Sequence, residues 1–294
     1  MLQRIKNKIV KEIKKRANLH PDLSAYLASQ LISKAIITRQ PFLASRLGFT
    51  EAKCLTQPGG VENKSQIWRD LLWRYSGVFP PTEEQFKQFG NRYLKSLGNV
   101  DLLGLLGNQA EKQLVNTCTN VPLTCSLESL EPYIHSAPWS MHLAGLRVLV
   151  IHPFAESIRT QYTNCRSKIF INPNVLPEFD LQILKSPQTL ANNKNDFASW
   201  NEAYKHLVDN VSNRQFDVAI IGCGGYGLPV GSFIKSIGKA AIHLGGATQV
   251  LFGVSGKRWR ERPAYRALMT SAWHPPLEEE RPSGWDQVEG GCYW

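Results

Sequence analysis

FDVAIIGCGGYGLPVGSFIKSIGKAAIHLGG, residues 216–246, decides the fold class. Residues 217–221 are one charge followed by a continuous apolar run, the pattern of a strand buried on both faces of a parallel sheet. Gly222, Gly224 and Gly227 then give the G-x-G-x-x-G spacing at the point where a helix is predicted to open. Glycines there let the backbone approach a ligand closely, and a helix N-terminus aims free N–H groups at an anion. A second strand follows at 239–244, with His243 at its tip and Gly245-Gly246 behind it. The dinucleotide form of the fingerprint needs an acid about 20 residues on, to hold a ribose. His243 takes that place, so neither NAD nor FAD is expected. A tight packing turn between strand and helix is the competing, purely structural reading.

Outward from this segment, residues 147–151 (RVLVI) form a second buried strand running into His152-Pro153-Phe154. Helices are predicted at 156–162 and 200–211, with a short strand at 181–184 inside the Pro- and Asn-rich stretch 172–196. Strand and helix alternate from 147 to 244, the signature of parallel βαβ units. Before them come a strand at 40–46, a helix at 50–55, helices at 67–75 and 83–97, a strand at 100–106 and a helix at 108–114. Residues 116–138 lack a period and read as a loop. The expected fold is α/β and Rossmann-like, a mostly parallel sheet with flanking helices and an N-terminal helical extension. Residues 1–39 are assigned to that extension and 40–294 to one α/β domain with a Pro-rich tail from about residue 274.

The chain carries a net charge of +10, and seven Lys/Arg against Glu12 alone put +6 of it in residues 1–20. The basicity therefore belongs to one segment, and no nucleic-acid partner is inferred. Leu2, Ile5, Ile9 and Ile13 recur on one face of a helix predicted over 1–17, and Asp22 is expected to cap the next helix, 23–37. The basic helix has two readings: an anchor through residues 1–18 to an anionic membrane surface, or a helix docked on the domain. No apolar run approaches the roughly 18 residues of a membrane span. Cys54, Cys118, Cys125, Cys165, Cys223 and Cys292 show no C-x-x-C spacing and read as reduced thiols. A cytoplasmic protein is expected, peripheral at the inner membrane face if the anchor holds.

Ligands of open α/β sheets bind outside the carboxyl ends of the strands. That rule selects Arg46 to Glu51, His152 to Glu156, Gly222 to Gly227 and His243 to Gly246. Residues 256–262 (GKRWRER) add four cations and an indole able to clamp phosphate or stack on a base. Arg258 and Trp259 point to different faces of a helix, so the four cations cannot all serve one ligand. His135 and His142 lack partners for zinc, and no Walker P-loop or G-x-S-x-G elbow is present.

Arg46-x-Gly48-x-x-Glu51 after one strand resembles the R-x-G-D-G-E signature of the GT-D-type glycosyltransferases of bacterial surface-polysaccharide loci. Gly222-Cys223-Gly224 and His243-Leu244-Gly245-Gly246 are similar to the nucleotide-sugar half of that family. The likeness covers residues 40–60 and 145–260. It implies transfer of a sugar from a UDP-sugar to a glycan or lipid-linked acceptor, aided by a divalent metal (Mg or Mn) at a D-x-E motif. Carried over, Glu51 is the catalytic acid that binds metal or a sugar hydroxyl, while Phe49 stands where the family has aspartate. Arg46 and Gly48 would hold the donor. Gly222, Gly224, Gly227, Gly245 and Gly246, with Lys257 and Arg258, would stabilise the leaving diphosphate. His152 and His243 are the candidates for the acceptor base. Two other classes stay open: a different nucleotide-dependent Rossmann-like enzyme, and a non-catalytic membrane-associated scaffold.

Overall fold

The computed structural model describes residues 21–294. The helix expected over 1–17 and the membrane anchor expected of 1–18 lie outside the described residues. Seven strands form one all-parallel sheet: β1 (Phe42–Arg46), β2 (Leu102–Leu105), β3 (Leu123–Ser126), β4 (Arg147–His152), β5 (Asp180–Lys185), β6 (Val218–Ile221) and β7 (Ala240–His243). Their order is β3-β2-β1-β7-β6-β4-β5. The protein is thus a Rossmann-like α/β fold.

Alternation along each strand feeds two cores, one on each side of the sheet. Val218 and Ile220 of β6 join Ala44, Val150 and Ile242 beneath α1 (Ala25–Ile37) and α6 (Ala155–Ile169). Ala219 and Ile221 join Leu43, Ile151 and Ala241 beneath α4 (Glu83–Leu97), α7 (Trp200–Ser212) and α8 (Gly227–Ser236). Burying each isoleucine contributes about 1.5–3 kcal/mol. This explains why the central strands read as unbroken apolar runs.

Three expectations change. Residues 116–138 hold edge strand β3, whose four residues are too short for a period, followed by two 3₁₀ turns. Helix α6 continues to Ile169 because Tyr162, Cys165 and Ile169, at three- and four-residue steps, keep one face on the core through the polar run. The cap of α1 is Ser24, whose Oγ accepts from the Leu27 N–H at 3.3 Å. Asp22 instead accepts from the backbone N–H and the hydroxyl of Thr124, each at 2.9 Å, tying the segment to β3.

Chain order places β1, β7, β6 and β4 side by side. The link from β4 leads to β5 on one side and that from β6 leads to β7 on the other, so a crevice opens between their carboxyl ends. At the opposite ends, Asp217 is structural. Hydrogen bonding by Arg147, with Arg39 nearby, holds its carboxyl down at about 2. Among the described residues no helix is long and apolar enough to cross a membrane.

Candidate functional site

A cavity of about 600 Å³ opens outside the carboxyl ends of the four central strands. Arg46, Gly48 and Glu51 line it from β1, and His152 and Pro153 from β4. Gly222 and Gly224 come from β6, and His243, Gly245 and Gly246 from β7. Stretches far apart in sequence therefore meet at one place, by the geometry of a parallel sheet. Arg258, Trp259, Arg262, Tyr265, Tyr293 and Trp294 complete the wall. Lys257 is exposed and lies outside the lining, and Gly227 sits behind it.

Arg46 ends β1, and Gly48 is the N-cap of α2 (Phe49–Leu55). A Cβ on Gly48 would fall 1.8 Å from Glu51 Oε2, so the bare Cα makes room for that carboxyl. Burial raises the Glu51 pKa, opposed by the Arg46 charge and the Ser76 hydroxyl. The Arg46 Nε donates to the Leu47 carbonyl at 3.3 Å, and Arg46 has no ion-pair partner among the described residues. Its guanidinium lies close enough to act on Glu51, Glu111, Glu131 and His243. The aliphatic part of Arg46 crosses Gly245, whose φ of +62° suits glycine and where a Cβ would be 2.9 Å from Arg46 Cδ.

The glycine spacing of 222–227 has a divided role. Gly222 and Gly224 line the cavity, and Gly224 has φ +56°. Gly227 is a packing position, because a Cβ there would stand 2.1 Å from His243 Nε2. The other ring nitrogen of His243 shares a 3.0 Å hydrogen bond with Ser45 Oγ. Nδ1 of His152 accepts from the Phe154 N–H at 3.0 Å. Burial pushes both imidazoles down to about 3, with Arg46 adding to the effect at His243. Burial thus favours the neutral imidazole at both positions. Burial likewise pushes the Cys223 thiol up, so it carries no thiolate.

In the basic segment, α10 (Lys257–Glu261) divides its cations. Arg258 turns inward, 4.6 Å from the centre of the Tyr293 ring and paired with Glu289. Arg260 turns away, donating to the Ser255 and Trp294 carbonyls at 2.6 and 3.2 Å. Residues 292–294 fold back as a wall: the N–H groups of Lys257 and Arg258 donate to the carbonyls of Trp294 and Cys292, both at 2.9 Å. The Trp294 ring lies 5.6 Å from Phe154. The end of the stretch that reads as a tail, residues 291–294, is largely buried.

Sequence reasoning also missed Glu131, on the turns after β3. It is 5% exposed, lines the cavity and accepts from the Tyr265 hydroxyl at 2.9 and 3.1 Å. Burial pushes its carboxyl up to about 7 against the hydrogen bond from Tyr265. No periodic signal marks this stretch; an acid beside Tyr133 in an otherwise apolar turn was the only clue.

The acids among the described residues do not form an all-protein magnesium or manganese centre, so any such ion would draw most of its oxygens from phosphate and water. A hard cation takes about six or more oxygen ligands. Phe49 is exposed, and the Lys53 ammonium lies 5.8 Å from its ring centre, so that position offers no oxygen. Glu156, a candidate to compensate, pairs with Arg159 at 3.1 Å and does not line the cavity. Among the described residues no group of three or more His, Cys, Asp and Glu could hold a metal ion.

No family model matches the chain, and no curated protein matches it. Among solved structures the chain is similar to a selenomethionine-substituted domain of unknown function 1792. That likeness has 14% identity and a TM-score of 0.48, covering 92% of this chain and 95% of that one. The fold is established by the strand topology, and what the cavity does is argued from its own residues.

Proposed function

We propose that the cavity binds a UDP-sugar and transfers its sugar to a glycan or lipid-linked acceptor. One observation carries this reading: the Arg46 guanidinium, without an ion-pair partner among the described residues, faces a cavity bordered by the glycine turns of β6 and β7. Such a group is an anion site, since guanidinium and backbone N–H groups bind phosphate oxygens together. Arg46 and Arg258 would neutralise the diphosphate as it leaves, the charge that develops in the transition state. Trp259, Tyr265 and Tyr293 offer faces for a base. Glu51, wedged beside Gly48, is placed to accept a sugar hydroxyl. The resemblance of Arg46-x-Gly48-x-x-Glu51 to the GT-D signature supports the same reading, and no metal step is needed for it.

A thermal-shift panel of UDP, UDP-glucose, UDP-galactose, UDP-N-acetylglucosamine, NAD and S-adenosylmethionine tests it. Stabilisation by UDP and at least one UDP-sugar is expected. Stabilisation by NAD or S-adenosylmethionine but not by UDP would contradict it.

A further inference from the structure

We infer that Glu131 takes the proton from the acceptor hydroxyl, with Tyr265 as its positioning residue; the inference rests on the transferase reading above. The other cavity-lining candidates are each committed elsewhere. His152 accepts the Phe154 N–H at Nδ1, which leaves its own proton on Nε2, and Nε2 of His243 is packed against Gly227. Glu289 is paired with Arg258, Glu128 is exposed, and Glu51 is wedged against Gly48. Glu131 remains: a buried carboxyl on the cavity wall that forms no ion pair among the described residues and is held by a hydroxyl donor.

The groups that face it set its protonation. Tyr133 adjoins it on the same turns, Tyr265 reaches it from α11 (Pro263–Arg266), Glu128 repels it from the preceding turn, and Arg46 attracts it from β1. Against these, burial dominates and brings the carboxyl to about 7. A base is most effective when its pKa lies near the working pH. Tyr265 donates to both oxygens, which fixes the carboxylate plane and favours the charged form.

In the step, the acceptor O–H proton passes to a Glu131 oxygen while the acceptor oxygen's lone pair bonds to the anomeric carbon. The bond from that carbon to the diphosphate oxygen breaks, and its electron pair leaves on UDP. Glu131 then returns the proton to water. No other reactant is required.

The test measures UDP release from UDP-glucose, UDP-galactose and UDP-N-acetylglucosamine, with water as acceptor, alongside the calorimetric Kd for UDP. Wild type, Glu131→Gln and Tyr265→Phe are compared. Glu131→Gln is expected to slow release about 100-fold or more, with Kd unchanged within about threefold. In wild type the rate should rise with pH through an apparent pKa near 7. In Tyr265→Phe that limb should move to higher pH, because a donor to the charged form is lost. Three results would overturn the inference: release by Glu131→Gln within about threefold of wild type, an unmoved limb in Tyr265→Phe, or no release by wild type that binds UDP. Wild type that binds no UDP at all would instead remove the transferase reading, and this inference with it.

Discussion

Gly48 and Glu51 occupy one space: a Cβ on Gly48 would stand 1.8 Å from Oε2 of Glu51. The backbone at Gly48, φ −73° and ψ 137°, is open to any residue, so only the carboxyl makes glycine necessary. Gly48→Ala should therefore cost about 1–3 kcal/mol through overpacking. In a Glu51→Ala background the same change should cost close to nothing, a coupling that urea melts of the four proteins would measure. Equal losses in both backgrounds would show that the two residues are independent.

UDP binding should not depend on a divalent metal. Among the described residues no cluster of three ligating side chains is present, whereas Arg46 and Arg258 line the cavity to meet the diphosphate. Titrations in EDTA and in magnesium should give Kd values within about threefold of each other. A large loss in EDTA would contradict the metal-free reading.

Stability against pH reports the buried groups. His152 and His243 sit at about 3 against an ordinary 6.5, so between those values the unfolded state binds the extra protons. Their contribution is complete above pH 6.5 and is lost as pH falls toward 3. Glu131 does the reverse. At about 7 against 4.5, its extra proton is held by the folded state, so its contribution is present at acid pH and lost as pH rises through 7. Glu131→Gln removes this opposing effect. Between pH 4.5 and 7, its stability should fall with acidification more steeply than wild type, by ~1.4 kcal/mol per pH unit. Parallel curves would place Glu131 at an ordinary carboxylate pKa.

Arg258 and Lys257 are neighbours with different surroundings. Arg258 stands against Tyr293 inside the cavity, and Lys257 points out. Tyr293→Ala removes both the ring and a hydroxyl contact at 3.3 Å. It should weaken UDP about tenfold by loosening Arg258. Lys257→Ala should leave Kd unchanged. The opposite ranking would return the anion-binding role to Lys257.

The legible parts of this fold are those whose physics is local. Strands β4 and β6 stand out because both faces are buried, which turns their residues into apolar runs. Residues after those strands could be picked as neighbours because a parallel sheet aligns carboxyl ends. Edge strand β3 was not legible, with Leu123 exposed, only two of its four residues buried and no run to read. Glu131 was hidden with it, since its partner Tyr265 is 134 residues away. The roles of Gly227 and His243 were likewise set by a contact between the start of α8 and the end of β7, which spacing does not encode. Trp294 reads as the end of a Pro-rich tail until its docking on Phe154 is seen.

Calorimetric titration of UDP into wild type and Arg46→Ala tests the central claim most directly. Wild type should bind, and Arg46→Ala should bind about 10- to 100-fold more weakly, the loss expected for a charge-assisted contact to phosphate. Equal affinity in the two proteins would contradict the assignment of the strand-end cavity as a nucleotide-sugar site.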